Sequence, residues 1–112
     1  MRGGVAVGAL LALLAPGLAA ADRASMASAC MKMQAVARGI MAERQQGVSA
    51  GEAHAKVARL GAETGNADLT EFFHTVVDYA YRTPLAPTDR QAEIAAIQFG
   101  ETVGAGCMSA DH

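Results

Sequence analysis

The side chains of this 112-residue chain that could do chemistry are two cysteines, three histidines, six methionines and a scatter of carboxylates. Cys30 and Cys107 could form a structural disulfide, a redox pair or half of a metal site. Redox and metal sites favour a Cys-x-x-Cys spacing, which these two lack, so the structural disulfide is expected. His74 stands with Glu71 and Asp78 at helical spacing, a pattern that fits a metal ligand or a general base. At about 100° per residue, all three lie opposite the apolar stripe of their own segment. They are expected to face water, with no second helix to complete a coordination shell. His54 flanks an apolar face and has no evident partner. Met31 and Met33 in Cys30-Met31-Lys32-Met33 suggest copper, but helical geometry sets them about 160° apart. Met26 and Met33 fit core filling better. Met108 and His112 lie one turn apart near Cys107. Covalent haem would need a Cys-x-x-Cys-His run. No nucleophile, base and orienting group fall together, because His74 and Asp78 lack a serine partner. No catalytic residue, cofactor or metal site is assigned, and a non-enzyme is expected.

The compartment decides what the cysteines do. Met1-Arg2 is followed by the apolar run Val5–Leu14, a Pro16-Gly17 break and the small residues Ala19-Ala20-Ala21. This order matches a secretory signal peptide over residues 1–21. The run falls short of the roughly 20 apolar residues needed to span a bilayer. Cleavage after Ala21 leaves residues 22–112 as a single domain with eight basic and eleven acidic side chains, a net charge of −3. Nothing in that balance attracts nucleic acid or an anionic membrane, and stable membrane insertion after cleavage is not expected. A periplasmic or secreted location is oxidising and favours the Cys30–Cys107 bond.

The elements that must position these residues are helical. Met26, Cys30, Met33, Ala37 and Ile40 share one face of a helix over 24–46, with Gly47 as its stop. Ser49-Ala50-Gly51-Glu52 has capping-box spacing and opens a short second helix marked by Ala53, Val57 and Leu60. Gly61 ends it, and residues 61–66 form a turn. Leu69, Phe72, Phe73, Val76 and Ala80 stripe a third helix over 67–82, closed by Pro84. Thr88-Asp89-Arg90-Gln91 opens a fourth, running to about Met108. Ala96, Gly100 and Gly104 along it allow close approach to a neighbour. No strand pattern, repeat or low-complexity tail interrupts the series. The fold class is all-α, a small antiparallel four-helix bundle in up-down-up-down order, stapled by one disulfide.

That topology brings the ends of the first and third helices to one pole. Arg44, four residues after Ile40, continues the apolar stripe there, with Gln45 beside it and Tyr81 and Arg90 near. Arg44 either caps helix-end carbonyls or binds a small anionic ligand or a partner carboxylate.

Cys30, the Ile40–Gly47 segment, Ala80-Tyr81-Arg82-Thr83-Pro84, Phe99-Gly100 and Cys107 resemble a loose group of short exported proteobacterial proteins. Their shared pattern is Cys … Arg-Gln-x-Gly … Ala-Tyr-x-x-Pro … Cys, and it covers most of the chain after residue 21. The resemblance implies a compact exported helical protein, transfers no catalytic residue, and draws attention to Arg44, Gln45 and Tyr81. The expected function is that of a non-catalytic interaction protein in the periplasm: an accessory subunit, an inhibitor or a chaperone-like binder of an envelope protein. The alternative is a carrier of a small ligand or of a metal, copper or haem.

Overall fold

A computed structural model describes the backbone of residues 2–109 and the side chains of residues 22–109. Four helices follow one another: α1 (Arg2–Gln45), α2 (Ala50–Thr64), α3 (Ala67–Arg82) and α4 (Asp89–Ser109). No strand occurs among the described residues.

α1 does not stop at the Pro16-Gly17 step, where a break is expected from sequence; it runs unbroken through it. Proline removes one backbone donor and crowds the preceding turn. The alanine- and leucine-rich residues on both sides are strong helix formers, and they carry the helix across. The side chains of residues 1–21, the segment expected from sequence to be a signal peptide, lie outside the described residues.

The helix ends that flank the three connections are satisfied locally. At the end of α1, Val48 N–H donates to Glu43 O at 3.0 Å and Gly47 N–H to Arg44 O at 3.1 Å. This Schellman pair needs a left-handed residue, and Gly47 supplies it at φ 88°. Ser49 Oγ accepts from Glu52 N–H at the start of α2, and Thr88 Oγ1 from Gln91 N–H at the start of α4. α2 does not end at Gly61. It continues to Thr64, and Gly65 at φ 68° forms the cap, its N–H bonded to Gly61 O at 2.8 Å. The turn therefore shrinks to two residues, with Asn66 Oδ1 capping α3. Gly61 is needed for a different reason: a Cβ there would sit 3.0 Å from Thr70 Cβ on the facing helix.

The chain order is up-down-up-down. α1 is the hub, packing against all three other helices and most extensively against α4, while α2 packs on α3. α3 and α4 both rest on α1 but barely meet each other. The core joins Ala37, Ile40 and Met41 of α1 with Ala53 and Val57 of α2, Phe73, Val76, Val77 and Ala80 of α3, and Ala96 of α4. Met41 and Val77, outside the expected stripes, are its largest fully buried side chains. Met26 and Phe72, inside the expected stripes, are exposed. The α3 face is rotated toward Val77 because that helix must satisfy α1 on one side and α2 on the other.

α4 adds a single buried aliphatic side chain, Ala96. Its hold on α1 comes from close approach. An added Cβ at Gly100 would lie 2.9 Å from Gln34 O, and one at Gly104 would lie 3.1 Å from Gln34 Cβ. The seam ends in the Cys30–Cys107 disulfide, with Cα atoms 5.6 Å apart, inside the usual range of about 4.4–6.8 Å.

Candidate functional site

Three places in the fold gather side chains beyond what the core requires. The first is the pole opposite the disulfide, where the structure brings Arg44, Gln45 and Tyr81 together. Arg44 Nε–H donates to Thr83 O at 3.2 Å, and its guanidinium lies 5.2 Å from the centre of the Tyr81 ring. Gln45 Nε2–H donates to Pro84 O at 3.2 Å while its Oε1 accepts from Ala86 N–H at 2.7 Å. Tyr81 O–H donates to Val48 O at 2.5 Å, with Ser49 O at 3.3 Å. Two side chains at the end of α1 thus hold the 83–86 connection, and one at the end of α3 holds the α1–α2 connection. Burial, followed by the charge of Glu43, pushes the Tyr81 phenol above its ordinary pKa; Arg44 opposes this. Arg90 is exposed at the start of α4.

These groups are committed to backbone carbonyls that would otherwise lack partners near the helix ends. Arg44→Ala is therefore expected to lower unfolding free energy by about 1–3 kcal/mol, the usual range for stranding such groups. Urea denaturation of the isolated protein checks this. Unchanged stability would assign Arg44 to recognition instead.

The second place is an apolar cleft of about 630 Å³ between α3 and α4. Phe72, Thr75, Val76 and Tyr79 form one wall, Phe99, Thr102, Val103 and Gly106 the other, with Met33 and Cys107 also lining it. Met33 Sδ rests 3.3 Å from Cys107 Sγ. The sulfur in the disulfide carries no proton, so this is a packing contact. The cleft exists because α3 and α4 share a support and do not close on each other. The sequence stripe over α3 places Phe72 and Val76 on a face turned to a core. The signal it missed was Tyr79, 58% exposed beside Phe72.

The third place corrects an expectation. His74 and Asp78 do not face water alone, because α2 brings His54 to them. His54 Nδ1 lies 2.8 Å from His74 Nδ1, and His54 Nε2 lies 3.0 Å from Asp78 Oδ1. The ring centroids are 5.0 Å apart and the ring planes 27° apart, so the two imidazoles meet edge to edge. Counting residues around α3 placed the trio correctly relative to the stripe. It could not show that α2 lies along that flank.

Met31 is 69% exposed while Met33 turns inward, so the two do not converge. His112 lies outside the described residues. Among the described residues no group of three or more His, Cys, Asp or Glu side chains is arranged to hold a metal, and no helix is long and apolar enough to cross a membrane. No protein-family model matches the chain, and searches of curated proteins and of solved structures found no match.

Proposed function

We propose that this is a non-catalytic exported binding protein whose α3–α4 cleft receives an amphipathic helix of an envelope partner. The observation that carries the reading is the gap itself: two antiparallel helices on a common support that barely meet, facing each other through apolar side chains. Each wall spans residues seven apart, Phe72 to Tyr79 and Phe99 to Gly106, about 10 Å of helix. That length suits two turns of an incoming helix with apolar anchors at i, i+3, i+4 and i+7. Among the described residues no charged side chain lines the cleft, so the partner is selected by the apolar face of its helix.

Export rests on the order of residues 1–21 and on a disulfide that persists in an oxidising compartment. The resemblance to short exported two-cysteine helical proteins points the same way. A second reading, a carrier of an apolar small molecule, is favoured by the cleft volume, which falls in the usual range for ligand pockets of about 300–1,000 Å³. The Arg44 pole is assigned to structure, because its guanidinium and the neighbouring amide are engaged with the backbone of the same chain.

Thr102 is exposed and lines the cleft, so Thr102→Glu places a charge there without entering the core. We expect it to weaken partner binding at least tenfold in a pull-down titration, with melting temperature unchanged. Arg59→Glu, on exposed α2, should leave binding intact. Equal binding by both variants would remove the cleft from recognition. An apolar compound found by mass spectrometry in extracts of the purified protein would favour the carrier reading.

A further inference from the structure

The His54–His74–Asp78 cluster lies on the α2–α3 flank and takes no part in the cleft. Its hydrogen bonds fix where protons sit. Asp78 is a carboxylate acceptor, so His54 Nε2 must carry the proton that meets it at 3.0 Å. In the tautomer that ligates a metal, His54 Nδ1 presents its lone pair and accepts from His74 Nδ1–H across 2.8 Å. Two imidazole nitrogens from different helices thus point at one another and share one proton. A carboxylate behind the first ring fixes its tautomer, which is the arrangement that prepares a histidine to ligate a metal.

We propose that His54 and His74 form a two-imidazole site for a divalent first-row transition ion of the Zn2+ or Cu2+ type, with Asp78 as its positioning residue. Metal–nitrogen bonds of about 2.0–2.1 Å in tetrahedral geometry place two ligand nitrogens roughly 3.3 Å apart. The observed 2.8 Å therefore opens by about half an ångström, and both rings turn so that lone pairs now aimed at one another converge on the ion. On binding, the ion takes the Nδ1 lone pairs of both rings. The proton on His74 Nδ1 moves to its Nε2 through solvent, and no oxidant or leaving group is involved. His54 keeps its proton on Nε2, still bonded to Asp78. Both imidazoles are half-buried and Asp78 is exposed, so water fills the remaining coordination positions. Glu71, one turn before His74 on the same helix, adds a second negative charge to the field at the ion. His54 cannot aim both nitrogens at one point, so the site has two protein ligands and suits an exchangeable ion. Binding would tie α2 to α3 at their middle.

The test is a ZnCl2 titration of the full chain, without an affinity tag, by calorimetry and by side-chain 1H–15N NMR. Expected are saturable one-to-one binding and a His74 spectrum that changes from the Nδ1–H to the Nε2–H tautomer, with His54 Nε2–H retained. His54→Ala and His74→Ala should each weaken binding at least tenfold, and Asp78→Asn by about 10–100-fold, as for other outer-sphere partners. His112→Ala should change nothing. The NMR readout uses the unmodified protein, so it stands even if a variant folds poorly. Absence of saturable binding, binding that survives both histidine substitutions, or binding lost in His112→Ala would each overturn the proposal. None of these results bears on the α3–α4 cleft.

Discussion

Breaking the Cys30–Cys107 bond should cost the protein a large part of its stability. The bond joins residues 77 apart in sequence, and the chain-entropy account gives about 4.5 kcal/mol for a loop of that size, with measured losses of about 2–5 kcal/mol. A domain this small has a net stability of roughly 5–15 kcal/mol. The loss should fall unevenly. α1, α2 and α3 share nearly the whole aliphatic core, whereas α4 contributes Ala96 to it. Hydrogen exchange after reduction, or in Cys30→Ser/Cys107→Ser, should show protection lost first along α4, with the α1–α3 amides following at higher denaturant. A denaturation midpoint unmoved by reductant would show that the glycine seam alone holds α4.

The seam itself predicts the second large effect. Gly100 sits against the backbone of α1, where a Cβ would meet Gln34 O at 2.9 Å and Arg38 Cβ at 3.0 Å. A carbonyl within a helix cannot swing aside as a side-chain end can, so the helices must separate. Gly100→Leu is expected to cost about 3 kcal/mol or more, at the upper end for overpacking, and to reduce air oxidation of the cysteines by moving Cys107 off its partner. Gly39 is the control. It lies on an exposed face of α1 with nothing within 4 Å of an added Cβ. Gly39→Ala should gain up to about 1 kcal/mol from helix propensity. Similar effects at the two positions in thermal or urea melts would mean that α4 does not lie against α1 at Gly100.

The two glycines also show what a sequence discloses. The four-residue spacing of Ala96, Gly100 and Gly104 is a statement about one helix face, and it was enough to anticipate close approach. Helix number, the Ser49 and Thr88 caps and the Gly47 stop follow from local chemistry in the same way. What was not legible depends on neighbours. Gly61 is a plausible stop by composition, yet α2 passes through it because Thr70 requires a residue without a side chain there. Phe72 lies within the apolar stripe of α3 and Val77 outside it; only the positions of α1 and α2 decide that Val77 is buried and Phe72 is not. His54 could not be paired with His74 and Asp78 without knowing how α2 lies on α3. Arg44 and Tyr81 could be placed at one pole from topology, but not their particular carbonyls. The cleft is the least legible feature, since it consists of packing that α3 and α4 largely do without.

The central claim is that this gap is a binding surface for a helix. A photo-crosslinking residue at Thr75, which is exposed and lines the cleft, tests it most directly when the protein is expressed in its own envelope. Peptide-level mass spectrometry should recover crosslinks from position 75 to one partner segment with apolar residues at i, i+3, i+4 and i+7. The same group at Ala58, exposed on α2, should not yield that product. Crosslinks of equal yield from both positions, or a product from position 75 that is extended or absent, would contradict the claim.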